Sequence, residues 1–160
     1  MSAARPLNAL ATHGPVAFVL GGPEAHGYVV DTYCKNLESP LLASLGLPKA
    51  KALPADMRRL VNEGMRTQVL AALREGLLLM AVAVEEPTTY LGYVLADAGE
   101  GTCRVRYCYV QHTARRKGLG RALVAHVAEA VAPKARYYAV HTRAGAALVR
   151  RYGLQYQPEE

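Results

Sequence analysis

Between Leu77 and Val110 the chain carries three strand-length apolar segments separated by two short turns. This stretch constrains the fold more than any other. Leu77–Val84 is a nearly unbroken apolar run, the pattern of a strand buried on both faces. Glu85-Glu86-Pro87 turns the chain into Tyr90–Asp97, and Ala98-Gly99-Glu100-Gly101 turns it into Thr102–Val110. Strands joined by turns this short are expected to be antiparallel neighbours. A further short strand is expected upstream at Val16–Leu20, stopped by Gly21-Gly22-Pro23.

Helical periodicity fills the remaining space. Ala55–Glu75 places Met57, Leu60, Val61, Met65, Val69 and Leu73 at spacings of three and four, one apolar stripe. Pro54 and Asp56 suit its first turn and Gly76 its C-terminal end. Ala25–Leu37 reads as a helix. Ser39–Pro54, with three prolines and Gly46, reads as irregular, apart from a helical turn near Leu41–Leu45. Gly118–Ala132 reads as a helix with Leu119, Leu123, Val127 and Ala130 on one face. Arg136–His141 reads as a strand, Ala144–Tyr152 as a short helix closed by Gly153, and Leu154–Tyr156 as a last short strand. Met1–Pro15, Ala-rich and without a period, is expected to be a loose lead-in to one domain over 16–160. The expected class is α/β (α+β): a mixed sheet, in order β-α-α-β-β-β-α-β-α-β, with helices on its faces.

Several function classes fall away. No apolar run approaches the roughly 18 residues of a membrane span, so no membrane partner is expected. Met1–Leu10 has no continuous apolar segment of the secretory kind. Cys34, Cys103 and Cys108 form neither a disulfide framework nor a CxxC metal site, which points to a reducing, cytoplasmic setting. Cys103 and Cys108 read as small strand residues. Charge is uneven: residues 1–100 hold 8 Lys/Arg against 10 Asp/Glu, and residues 101–160 hold 11 against 3. The C-terminal part is therefore suited to an anionic partner.

The stretch that carries chemistry is Tyr107-Cys-Tyr-Val-Gln-His-Thr-Ala-Arg-Arg-Lys-Gly-Leu-Gly-Arg-Ala-Leu123. A strand runs into the basic turn Arg115-Arg116-Lys117, then Gly118-Leu119-Gly120, and a helix begins. Free N–H groups and the positive dipole end of a helix attract an anion such as a diphosphate. Glycines let the backbone approach it closely. Spacing excludes a P-loop, where Lys would follow the glycines, and a dinucleotide fingerprint, which would need glycine where Leu123 stands.

The remaining pattern, Arg115-x-x-Gly118-x-Gly120, resembles the GCN5-related N-acetyltransferase superfamily. Its setting after the third strand of a meander, at the start of an amphipathic helix, strengthens the likeness, as does Gly153-Leu154 closing the last helix. The looser likeness of "LGYVLAD" and "VRYCYVQHTARRKGLG" is to small acetyltransferase-like proteins of phages and prophages. The resemblance implies a splayed central strand pair and acetyl-CoA as co-substrate. It implies that the backbone of Tyr109 and Val110 pairs with the pantetheine arm. It also implies that Arg115, Arg116, Lys117, Gly118, Leu119, Gly120 and Arg121 cradle the pyrophosphate. Arg143 and Arg150 are candidates for the 3′-phosphate on charge alone.

The sequence departs from that family where proton transfer is concerned. The usual general-acid Tyr position is Val149, with Tyr152 about a turn away as the candidate substitute. Cys103–Val110 contains no acid to serve as base. His141, at the end of its strand, is then the candidate base, since a neutral imidazole can take a proton from an amine. His112 is expected to be structural or solvent-facing, and His126 to pack at the core boundary. Tyr107 and Tyr109 share a strand face and are candidates to line the acceptor cleft; Glu85 and Glu86 read as a solvated turn. The expected activity is acetyl transfer to a primary amine, on a small molecule or a protein, by direct attack in a ternary complex. The alternatives are a non-catalytic binding module on the same fold and a basic nucleic-acid binder. The last is not favoured, because Trp is absent and the ten tyrosines are dispersed along the sequence.

Overall fold

The structure is a computed structural model that describes the backbone of residues 9–13, 15–99, 102–131, 136–139 and 155–156, and side chains over 15–97 and 104–127. Among the described residues seven strands form one sheet in chain order: β1 (Ala9–His13), β2 (Val16–Leu20), β3 (Leu77–Ala83), β4 (Tyr90–Gly99), β5 (Thr102–Val110), β6 (Arg136–Ala139) and β7 (Gln155–Tyr156). Pairing is antiparallel from β1 to β5 and parallel from β5 through β6 to β7. Helices α1 (His26–Ser44) and α2 (Ala55–Glu75) separate β2 from β3, and α3 (Leu119–Val131) follows β5.

The meander forms as its sequence predicts, and β3 is its buried centre. Leu78, Met80 and Val82 join one cluster with Val29, Val30 and Tyr33 of α1 and Met65, Val69 and Leu73 of α2. Leu79 and Ala81 point the other way, to Phe18, Val94 and Leu119, Leu123 and Val127 of α3. The unbroken apolar run thus serves two cores, one on each face of the sheet.

Three expectations need correction. The lead-in is not loose throughout, because Ala9–His13 forms β1 and pairs with β2. A five-residue edge strand has too short a pattern to register as periodic, and its partner supplies the ladder. Second, α1 does not stop at Leu37 but runs through Pro40 to Ser44. A proline inside a helix costs about 3 kcal/mol. Leu42, 1% exposed, recovers about 1.5–3 kcal/mol on burial, so the turn beyond the proline holds. Third, the α2 stripe is half-buried at Val61 and buried only from Met65 onward; Met57 and Leu60 are 41% and 69% exposed. Spacing identifies the side of a helix that faces the sheet, not how far the cover extends. Gly76 does end α2, but in extended backbone at φ −99°. A Cβ there would lie 2.7 Å from the carbonyl oxygens of Ala72 and Ala96.

One irregularity positions the site. Leu95 pairs with Tyr107 and Ala96 with Val105, so Arg106 is an extra residue in β5. Side chains alternate along a strand, and a bulge shifts that alternation. Val105 accordingly packs toward α3, and Tyr107 toward α1 and α2. Tyr109 follows Tyr107, whereas Cys108 and Val110 face α3.

Candidate functional site

The strand-to-helix connection is built from the end of β5. Gln111 donates its N–H to Leu91 O at 2.8 Å, across to β4. Alternation directs the backbone groups of Val110 to the opposite edge, the β6 side. There Arg115 Nε donates to Val110 O at 2.8 Å, with its guanidinium 5.9 Å from the centre of the Tyr109 ring. A 3-10 turn over His112–Ala114 follows, anchored by buried Ala114. Arg116 and Gly118 then adopt left-handed backbone, φ +65° and +78°. Such a turn gathers N–H groups into a concavity that suits an anion.

Gly118 starts α3, accepting from Ala122 N–H at 3.0 Å. Having no side chain, it cannot cap the N–H groups of Gly120 and Arg121, which a Ser, Thr or Asp at this position would do. Leu119, Leu123, Val124 and Val127 are buried and fix the helix to the sheet. Arg115, Arg116, Lys117 and Arg121 are all exposed around that first turn. The two glycines have different reasons. A Cβ on Gly118 would meet nothing within 4 Å, so its φ is what requires glycine. A Cβ on Gly120 would face β5, at 3.5 Å from Val110 Cγ2 and 3.9 Å from Cys108 Sγ, both ordinary contacts.

The other face of β5 is aromatic. Six of the ten tyrosines, dispersed in sequence and all among the described residues, converge there in tilted and edge-on pairs. Tyr28 lies 5.2 Å from Tyr90, 6.0 Å from Tyr93 and 6.2 Å from Tyr109 between ring centres. Tyr107 lies 5.3 Å from Tyr33 and 5.9 Å from Tyr93, and Tyr93 lies 5.8 Å from Tyr109. Tyr93, fully buried, has a satisfied hydroxyl: it sits 2.8 Å from Thr32 Oγ1, which in turn donates to Tyr28 O at 2.8 Å. The Tyr28 hydroxyl is also buried but meets no hydrogen-bond partner among the described residues. Such an atom costs about 1–3 kcal/mol if left unpaired. Burial, with a smaller contribution from Tyr109, pushes the Tyr28 phenol up to about 12. Burial alone pushes the Cys108 thiol up to about 12 and leaves it no nucleophile.

Of the other candidates, His112 is exposed, and His126 packs on Phe18 with ring centres 4.6 Å apart, as expected. Glu85 and Glu86 are exposed turn residues. The side chains of His141, Arg143, Val149, Arg150 and Tyr152 lie outside the described residues. Arg106 is not part of an open basic surface: its Nε lies 2.6 Å from Asp97 Oδ2. Arg104, opposite Asp97, is half-buried with its Nε covered. Sequence reasoning missed Tyr28, Tyr90 and Tyr93, because only the sheet register and the packing of α1 on the sheet bring them beside Tyr109. Among the described residues no group of His, Cys, Asp and Glu side chains is placed to hold a metal ion, and no helix is long and apolar enough to cross a membrane.

After the meander of this mixed sheet, the uncapped, glycine-led start of α3 has the chemistry of an anion site. Residues 51–152 match the model of the acetyltransferase (GNAT) family, and the chain belongs to that family. It is an N-acetyltransferase that uses acetyl-CoA as co-substrate. Solved structures share the fold. One is the PaiA N-acetyltransferase of Thermoplasma acidophilum in complex with coenzyme A: 15% identity, 86% of this chain and 87% of that one, TM-score 0.55. Another is the ribosomal-protein-alanine N-acetyltransferase of Brucella melitensis: 17% identity, 91% and 96% covered, TM-score 0.53. An acetyltransferase of Thermus thermophilus gives 18% identity, 93% and 90% covered, and TM-score 0.52. No curated protein matches the chain.

Proposed function

We propose that this acetyltransferase moves the acetyl group of acetyl-CoA to a primary amine, on a small molecule or a protein, by direct attack in a ternary complex. The observation that carries the reading is the start of α3. Exposed basic residues surround N–H groups that the glycine at the helix start cannot cap. In this reading the backbone of 116–121 holds the pyrophosphate, with Arg115, Arg116, Lys117 and Arg121 supplying charge. Val110 offers its backbone N–H to the pantetheine arm, its carbonyl being held by Arg115; Tyr109, expected to pair with the arm as well, has its backbone toward Tyr93 of β4 and flanks the arm with its ring instead. A parting of β5 from β6 beside Val110 is part of this reading. The acetyl-CoA supplies an activated thioester; the chain supplies orientation and proton handling.

The attacking amine must be neutral, so its proton must be taken up. His141 is proposed as the base and Tyr152 as the acid that protonates the leaving thiolate. The cytoplasm is the proposed setting, and the phage-like subgroup rests on the quoted sequence likeness alone. Calorimetric titration with acetyl-CoA tests the reading. Binding at tens of micromolar or tighter, of the order of ordinary substrate affinities, is expected; no binding and no rise in melting temperature would overturn it. His141→Ala should lower turnover chiefly on the acid side of the pH optimum, and an unaltered profile removes His141 from the role.

A further inference from the structure

The aromatic face lies on the same strand as the proposed pantetheine contact, on the opposite side of the sheet from α3. Tyr107 and Tyr109 flank Cys108, and alternation directs the Cys108 backbone, like that of Val110, to the β6 edge. An amine that reaches this edge from the α1 and α2 side must cross the Tyr28, Tyr90, Tyr107 and Tyr109 rings, all partly exposed. The face ends in a buried hydroxyl, that of Tyr28, which no described residue satisfies, although the neighbouring Tyr93 hydroxyl meets Thr32 Oγ1 at 2.8 Å.

We infer that this face is the acceptor subsite, that it takes a primary amine borne on an aromatic ring, and that the Tyr28 hydroxyl accepts a hydrogen bond from that amine. The inference rests on the acetyl-transfer reading above. Ring centres 5–6 Å apart leave edges and faces for one more ring to pack against, the arrangement aromatic groups favour. A polyamine would instead call for carboxylates spaced along its length. Glu24 acts on this face, beside Tyr90 at its rim, and Asp97 is engaged by Arg106. Burial also disfavours charge, as the raised phenol of Tyr28 records. The same desolvation lowers the pKa of an entering ammonium and favours the neutral, attacking form.

The test measures thiol release from acetyl-CoA with phenethylamine, hexylamine and spermidine. Phenethylamine is expected to lead in kcat/KM by about tenfold or more. Tyr28→Phe should raise the KM for phenethylamine by about tenfold, leave acetyl-CoA affinity unchanged, and leave the melting temperature equal or higher, because it removes an unpaired buried hydroxyl. A purely structural hydroxyl would give the reverse: a lower melting temperature with KM unmoved. Equal rates for the three amines, a preference for spermidine, no turnover of any amine by acetyl-CoA-bound enzyme, or an unmoved KM in Tyr28→Phe would overturn the inference while leaving the acetyl-CoA site standing. Failure of the chain to bind acetyl-CoA at all would overturn the reading beneath it.

Discussion

Gly118 and Gly120 stand two residues apart in one motif, yet alanine should affect them with opposite sign. At Gly118 the φ of +78° is the left-handed region, where a Cβ costs about 1–2 kcal/mol. Alanine recovers about 0.4–1 kcal/mol by restricting the unfolded chain, so Gly118→Ala should lose about 1 kcal/mol. No clash contributes, because the Cβ would meet nothing within 4 Å. At Gly120 the backbone is already helical, and the Cβ would make ordinary contacts with Val110 and Cys108. Helix propensity then gives Gly120→Ala up to about 1 kcal/mol. The two variants should part by about 2 kcal/mol, or about 4–8 °C in melting temperature for a chain of this size. Thermal melts with and without acetyl-CoA measure both stability and binding. Gly118→Ala should also weaken acetyl-CoA by about tenfold, because it reorients the N–H groups of the turn, whereas Gly120→Ala should not. Movement in the same direction, or a larger loss at Gly120, would refute the assignment of separate reasons.

Other outcomes follow from single contacts. Arg115→Glu removes the Nε–Val110 O bond and sets like charge against a diphosphate. Acetyl-CoA affinity by calorimetry should fall by more than about tenfold, and an unchanged affinity would mean that the site is misplaced. Gly92→Ala would drive its Cβ to 2.5 Å from the Tyr109 carbonyl oxygen, a backbone atom with no room to retreat. Denaturant melts should show a loss of about 3 kcal/mol or more. Pro40→Ala should raise the urea midpoint by about 1–3 kcal/mol in stability, because it restores a helical N–H; a lowered midpoint would refute the account of α1. Alkaline pH should destabilise the fold. Tyr28 is raised from 10.0 and Cys108 from 9.0, each to about 12, so the unfolded chain ionises first and binds fewer protons. Stability is then full below about pH 9 and falls as pH rises toward 12. Urea midpoints at several alkaline pH values should drift down, and a flat profile would contradict that burial.

What was legible in the sequence was local. The Leu77–Val84 run, the two short turns and the Arg115–Gly120 turn each declare themselves within a few residues, and each is found where its pattern places it. What was illegible depends on partners far along the chain. Pro40 argues for a helix end, and only the buried seat of Leu42 overrides it. Ala9–His13 becomes a strand because β2 has a free edge. The tyrosine face needs Tyr28 of α1 beside Tyr90 of β4 and Tyr109 of β5, a meeting no spacing rule reveals. Even Arg106, one of the basic residues of the C-terminal part, meets Asp97 once the strands are paired.

The extra residue at Arg106 gives β5 a parity. From Val105 backward the strand counts its faces in one frame, and from Tyr107 onward in the other. Deleting Arg106 would let the two frames meet in plain alternation, Val105 opposite Ala96 and Tyr107 opposite Leu95, with every side chain from 107 to 110 kept on its present face. Deleting a residue beyond the bulge, such as Cys108, would instead carry the residues after it to the opposite face. Arg106 is therefore where β5 can lose a residue without exchanging its two cores, and the strand should tolerate a change of length far better there than at Cys108.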